Sequence, residues 1–359
     1  MVTYDTIIAG GSFAGLAVVR ELKGNVLLID RKKIGSGTTS ACGAPLDLLT
    51  KLDCGDSIIQ VFDEGVIHTA RTTWVFPLKP AYCTFDYEKF CQLMLEKIES
   101  DILIAPVKGL EGNSVVTDKG KFESDIIVDC TGWKAALASS INPKFVSKRR
   151  LSFGFETEVP APKGDKMHFY FSRKIAERGI NWVFPCQEQS RFGIVNYAGR
   201  TQLMPLFESF LEKYSLNCDS LHGGYFPHRM LPPTIGNIFL VGDSAGQCFP
   251  VSGEGIRPAL YFGRICGQII QEIIDGKLSL SEGLKRYREL VESRKKYYSF
   301  LRFSQKLVTT IPNSWTNLLI GLVHRNFDYV FSKYINVTEK AYIPQCPRRT
   351  ESATGRELT

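Results

Sequence analysis

At 359 residues, 44% hydrophobic and 23% charged, the chain is long enough to bury cores in two or three domains of roughly 150 residues each. No stretch reaches the ~18 uncharged apolar residues of a membrane span, and the longest candidate, WTNLLIGLVHRN, is interrupted by polar residues within about ten. The net charge of +7 is modest and implies no nucleic-acid partner, while ten cysteines without a CxxC or zinc-like Cys/His spacing imply free thiols, a reducing cytosol and no metal site.

The opening YDTIIAGGSFAGLAVVRELKGNVLLIDRKK reads as strand, glycine turn, helix and second strand, the start of a βαβ unit. Its apolar run could pass for a signal-peptide core but reads as part of the fold: Asp5 precedes it, no Lys or Arg does, and glycines interrupt it. Residues 76–131 predict a helix around DYEKFCQLMLEKIES, short strands with turns at GLEGN and TDKGKF, and the apolar strand DIIVDC ending at Thr131 and Gly132. From 151 to 235 alternating, aromatic-rich runs (LSFGFETEV, KMHFYFS, INWVFP, RFGIVNYA) suit an antiparallel sheet, with one helix near LMPLFESFLEKYS.

GNIFLVGD then restores the parallel-strand style, and residues 255–275 predict a buried helix. The expected organisation is α/β: a first domain over 1–150 that resumes at 236–278, with the antiparallel domain 151–235 inserted in it. A helical region over 279–343 follows, with two amphipathic helices. One starts at the capping box Ser279 to Glu282, and the other carries Trp315, Leu318, Leu322, Phe327 and Phe331 on one stripe. Residues 344–359 read as a loose polar tail.

The turn GGSFAG follows a strand and opens a helix, the context of a dinucleotide-binding fingerprint. Gly10 allows the tight turn and Gly15 the close helix–sheet packing. Ser12 replaces the second glycine and is small enough for a pyrophosphate to approach the backbone amides at the helix N-terminus. Asp30, 20 residues after Gly10, ends the next strand where a carboxylate can take the adenosine ribose hydroxyls. Gly10, Gly11, Ser12, Ala14, Gly15, Asp30 and Arg31 are therefore candidate cofactor contacts; a plain tight turn is the alternative. The acid that ends LVGDSAGQCFPVSGEGIRPAL's strand could likewise be only a turn residue.

On these motifs the chain resembles the flavoprotein family that includes geranylgeranyl reductases and aromatic hydroxylases of the p-hydroxybenzoate type. The resemblance implies a Rossmann-like FAD-binding domain, with Gly242 and Asp243 holding the ribityl chain. PVSGEG, with Gly253, Gly255 and Ile256, would run beside the flavin, where amides at a helix start favour the negative charge of reduced flavin. DCTGWKAALA, with Gly132, is similar to the DATG segment of the reductase branch. NWVFP is similar to that branch's Tyr-x-Trp-x-Phe-Pro followed by Gly-x-Gly. Trp182, Phe184, Pro185 and Gly193 match; Ile180 and Val195 stand where an aromatic residue and a glycine belong. ACGAPL at Cys42 is similar to the branch's cysteine–glycine segment.

Cys42 is the candidate catalytic residue, a thiol beside the flavin that gives a proton or tunes its redox state; the alternative is a small buried hydrophobe. Phe171, Trp182, Phe184 and Pro185, with Phe169 and Tyr170, are expected to line an apolar substrate channel, though strand aromatics also serve as ordinary core. Arg173, Lys174, Glu177 and Arg178 cluster in a turn that would give that channel a basic mouth. Residues 281–307 hold eight Lys or Arg against three Glu, and the Arg294–Lys296 run either meets anionic headgroups or is a solvated helix face.

The resemblance implies an FAD-dependent reductase that saturates C=C bonds of isoprenoid chains in lipids or prenyl diphosphates, monomeric, cytoplasmic or peripheral at a membrane. The alternatives are a flavin monooxygenase or halogenase, and an electron-transfer flavoprotein serving a membrane quinone. No second G-x-G-x-x-G identifies an NAD(P)H domain, so the electron donor is left unassigned, and the cysteine spacing suits no iron–sulfur cluster.

Overall fold

The computed structural model describes residues 2–38, 40–161, 163–172, 178–218, 220–339 and 357–358. Its centre is a seven-stranded sheet in the order Thr234–Ile235, Ile238–Leu240, Ile126–Asp129, Thr6–Ala9, Val26–Asp30, Asp101–Ile104 and Glu357–Leu358. All neighbours run parallel except the first pair. The inner segments TIIA, VLLID and IIVD are apolar at nearly every position because both faces are covered. One cover is the helix Ile256–Ile274, packed on the helix Phe13–Val19. A Cβ at Gly263 would stand 2.7 Å from Ala14 O, and one at Gly267 2.5 Å from Val18 O. The two glycines thus let the helix backbones touch.

An eight-stranded sheet lies beside it, ordered His222–Pro227, Leu151–Pro160, Gln189–Asn196, Gly179–Cys186, Met167–Phe171, Ile58–Thr69, Thr73–Phe85 and Gly43–Pro45. A smaller four-stranded sheet joins Val2–Thr3, Lys121–Glu123, Ser114–Thr117 and Val107–Glu111. The large sheet differs from the expected antiparallel insertion in two ways. Three of its strands come from within 1–150, because the long hairpin Ile58–Thr69/Thr73–Phe85 pairs across to Met167–Phe171 instead of joining the parallel sheet. That pairing is parallel, so the sheet is mixed.

Among the described residues the C-terminal region forms four helices where the hydrophobic pattern suggested two: Leu280–Glu292, Lys295–Thr310, Asn313–Arg325 and Phe327–Glu339. The capping box Ser279–Glu282 is present. Pro312, which cannot continue a helix, separates the second from the third, and Asn326 leaves helical geometry before the fourth. The break also divides the expected stripe: Trp315, Leu318 and Leu322 are exposed, whereas Phe327 and Phe331 pack on Phe76 and Tyr82. The tail 344–359 lies outside the described residues except for the strand Glu357–Leu358. Among the described residues no helix is long and apolar enough to cross a membrane.

Candidate active site

Both glycine loops occur where parallel strands end. At the first, Gly10 has φ +106°, and a Cβ there would fall 2.1 Å from Cys130 O; a Cβ at Gly15 would fall 1.8 Å from Gly10 O. Neither position tolerates a side chain. Gly11 N donates to Asp30 Oδ2 at 2.7 Å and Lys32 N to Asp30 Oδ1 at 3.1 Å, so Asp30 already braces the turn and offers a ligand only its remaining lone pairs. Tyr87 donates to Ser12 Oγ at 2.9 Å. Arg31 is exposed beside this strand end. The helix that follows spans only seven residues, which makes the turn's own amides, more than a long dipole, the anion-facing groups.

The second loop is tied to the first domain's other strand end by Asp129, a fully buried acid that the sequence motif contained but that reads there only as part of DCTG. Its Oδ1 accepts from Thr131 N at 3.0 Å and Thr131 Oγ1 at 2.7 Å, and its Oδ2 accepts from Leu137 N and Ala138 N at 3.0 Å. Ser244 Oγ bridges Asp129 Oδ1 at 3.0 Å and Gly132 O at 3.1 Å. Gly132 and Gly242 are thereby held together, and Gly242 sits against Ala14 of the first loop, where a Cβ would be 3.0 Å from Ala14 Cβ.

Asp243 projects from this junction without a partner: its carboxylate accepts no hydrogen bond from a described residue, and burial pushes it up to about 7. The residue is half-buried, so its free carboxylate is open to a ligand that brings hydroxyls. Gly255 caps the helix beginning at Ile256 and lies beside it, where a Cβ would be 3.9 Å from Asp243 Oδ1. Between them Val251 has φ +73°, an unusual conformation for a β-branched residue, and Gly253 φ +68°. This loop is pinned. Glu254 forms a two-pronged pair with Arg257 at 2.7 Å, and Tyr334 donates to Glu254 Oε2. Arg257 Nη1 in turn reaches Tyr334 O and Ile335 O at 3.2 Å and Thr338 Oγ1 at 2.7 Å on the last helix. None of these three partners was signalled by sequence, since the contacts span some 80 residues.

The loop meets one face of the eight-stranded sheet: Tyr197 donates to Val251 O, and a Cβ at Gly253 would lie 3.7 Å from the Phe226 ring. Side chains alternate along strands, so Phe169, Phe171, Trp182 and Phe184 share this face with Ile180 and Val195. Trp182 lies flat on Gly193, its strand partner, where a Cβ would come 2.0 Å from the indole. The two departures from the reductase pattern, Ile180 and Val195, are also strand partners, so a smaller residue stands over a larger one as a matched exchange. Pro185 and Tyr170 face the other way: Pro185 packs on Gly164, and Tyr170 stacks on His68 at 4.3 Å and meets Phe210. Arg178 is exposed; Arg173, Lys174 and Glu177 lie outside the described residues.

Cys42 stands where the main core meets this face. It has φ +47° and is fully buried, and a Cβ on its neighbour Gly43 would lie 3.2 Å from the Phe184 ring. The thiol contacts Thr38 Oγ1 at 3.5 Å and Ser40 O at 3.3 Å, and burial pushes it up to about 12 against the opposing pull of Arg191. Arg191 donates to Ala41 O and Phe85 O on either side of it. Eight of the nine described cysteines are buried and all nine are free, and among the described residues no group of three or more His, Cys, Asp or Glu could hold a metal ion.

The residues present fit FAD: two side-chain-free turns, a bracing acid at the end of the second parallel strand, and an unpartnered carboxylate between them. No family model matches the chain. In sequence it is similar to the digeranylgeranylglycerophospholipid reductase of Methanococcus vannielii, 27% identical over 164 residues, 43% of this chain and 41% of that protein. A second such reductase, from Methanosphaera stadtmanae, is 23% identical over 62% of each chain. The aligned part thus spans about two fifths to three fifths of these relatives. In structure the chain is similar to a geranylgeranyl bacteriochlorophyll reductase-like protein of Thermoplasma acidophilum, with a TM-score of 0.81 at 18% identity over 90% of this chain and 92% of that one. It is also similar to a flavin-dependent brominase, with a TM-score of 0.65 at 12% identity over 93% and 100%. The fold is that of these flavoproteins.

Proposed function

We propose that the chain is an FAD-dependent reductase that saturates C=C bonds of isoprenoid chains in lipids or their prenyl diphosphate precursors. The observation that carries this reading is the junction itself: the unpartnered Asp243 and the Val251–Gly255 loop adjoin an aromatic sheet face through Tyr197 and Phe226. Gly10, Gly11, Ser12 and Gly15 would hold the pyrophosphate, Asp30 the adenosine ribose, and Asp243 the ribityl hydroxyls. Bound and reduced, FAD supplies hydride. Phe169, Phe171, Trp182 and Phe184 bind and orient the hydrocarbon and keep water from the reacting carbons, each Å² of buried chain contributing about 25 cal/mol. The names of the sequence relatives support the substrate class.

The C-terminal helices would set the enzyme at a membrane surface. Phe300 and Phe303 are 62% and 64% exposed beside Arg302, and no Asp or Glu occurs from 293 to 327. Sedimentation with anionic vesicles, weakened in Phe300→Ser/Phe303→Ser, tests this contact.

The reaction is tested by reducing the purified yellow protein anaerobically and adding a geranylgeranyl lipid or diphosphate. Reoxidation faster than with a ten-carbon analogue, with a product heavier by two hydrogens per bond, is the expected result. A reduced protein indifferent to every prenyl compound, but consuming oxygen while it hydroxylates or halogenates an aromatic substrate, replaces this reading with the chemistry of the halogenase relatives.

A further inference from the structure

The aromatic face contains a buried carboxylate for which the reading above has no use. Glu156 is 2% exposed. Its Oε2 accepts from Trp182 Nε1 at 2.9 Å, and its Oε1 lies 2.7 Å from His222 Nε2 on the neighbouring strand. The side chain of His222 is 22% exposed against 3% for Glu156, so the pair runs from solvent to the indole that lies on Gly193. The other charged or titratable groups facing Glu156 are Arg191, which is held by Glu158 at 2.7 Å, and the thiols of Cys42 and Cys186.

A buried carboxylate is costly unless paired. This one is paired with a side chain that reaches water. One proton shared between Oε1 and Nε2 can sit on either partner without changing the charge of the pair, so its movement carries little desolvation penalty. Cys42 has no such connection: it is fully buried, and both its contacts, Thr38 and Ser40, lie within its own loop.

We propose that Glu156 and His222 form the relay that brings a proton to the Trp182-lined face during C=C reduction, a role that rests on the proposed reductase activity. In each turnover one π bond breaks and two C–H bonds form, one with hydride and one with a proton. The two electrons come from reduced FAD, which ends oxidised. The proton leaves the Glu156 carboxyl, His222 reloads it through Oε1, and water reprotonates His222.

Glu156→Gln keeps an acceptor for Trp182 Nε1 and the shape of the site but cannot carry a proton. General acid catalysis contributes about 10²–10⁴-fold, so kcat should fall by at least about 100-fold. KM for the prenyl substrate should stay within about threefold and FAD content should be unchanged. His222→Gln should lose about tenfold and recover part of it with added imidazole, a smaller effect because water can replace a solvent-facing relay member. Fluorescence of Trp182, isolated by difference from Trp182→Phe, gives a readout without turnover: followed against pH it should show a step that Glu156→Gln abolishes. Full turnover in Glu156→Gln, or a fluorescence step that survives it, overturns the relay. A protein that no prenyl compound reoxidises, yet whose step is present and lost in Glu156→Gln, supports the proton-bearing pair and sinks the substrate class instead.

Discussion

The ends of the parallel strands and the aromatic face of the large sheet are built from different material. At the strand ends the defining feature is missing side chains: a Cβ at Gly10 or Gly15 would collide with backbone oxygen at 2.1 or 1.8 Å. On the sheet face the defining feature is which side chains stand opposite one another, Trp182 on Gly193 and Ile180 on Val195. A backbone-built site has no give, because oxygen atoms of strands and turns cannot swing away. A side-chain-built site can be retuned by changing both members of a facing pair, such as Ile180 and Val195.

The largest effect should come from Gly15→Val. Ordinary overpacking costs about 1–3 kcal/mol, and a backbone collision at this distance should exceed that, leaving little folded protein and no bound flavin by absorbance. A variant that loads FAD normally would remove the cofactor turn from the rigid class. Gly193→Val meets first the Trp182 ring, a side chain and not backbone, so a cost within that ~1–3 kcal/mol range is expected in thermal melts. FAD should be retained while a prenyl lipid binds at least about tenfold more weakly, roughly the worth of 1.4 kcal/mol. Equal loss of flavin in both variants would erase the distinction between the regions.

Asp243 sharpens it from another side. Its folded pKa is raised to about 7 by burial, above its unfolded value. Its contribution to apoprotein stability is therefore fully present below the unfolded value and lost as pH rises through about 7. The melting temperature of apoprotein should drop across that window, Asp243→Asn should flatten the drop, and FAD, by donating hydroxyls to the carboxylate, should reduce it. A slope that is the same in Asp243→Asn would assign it to other groups. The smallest effect is expected from Cys42→Ser, which keeps shape: FAD bound and turnover slower. Unchanged turnover would leave Cys42 as a packing residue.

The sequence made the backbone-built region legible because its constraints are local. Gly10, Gly15, Asp30, Gly242 and Asp243 each occupy a fixed place at or just after a strand, and the structure sets Gly10, Asp30, Gly242 and Asp243 at strand ends with Gly15 in the first turn of the adjoining helix. Asp129 was visible only as part of a motif, since its contacts reach Ser244, 115 residues away. On the sheet face Phe171, Trp182 and Phe184 were legible as aromatic strand residues, but Pro185 was not separable from them until alternation was known, and one step of register reverses a side chain. The Glu156–His222 pair and the attachment of the Ile58–Phe85 hairpin to Met167–Phe171 were illegible for one reason: strand pairing across 66 and more residues leaves no local trace.

The clamp of Arg257 on Tyr334, Ile335 and Thr338 ties the loop to residues made some 80 positions later. Ribosomes add roughly 5–20 residues per second, so the loop at 250–255 emerges several seconds before the helix that secures it. Over that interval the loop that would border the flavin ring is unfastened. Fastening that loop therefore waits on translation of the helix Phe327–Glu339.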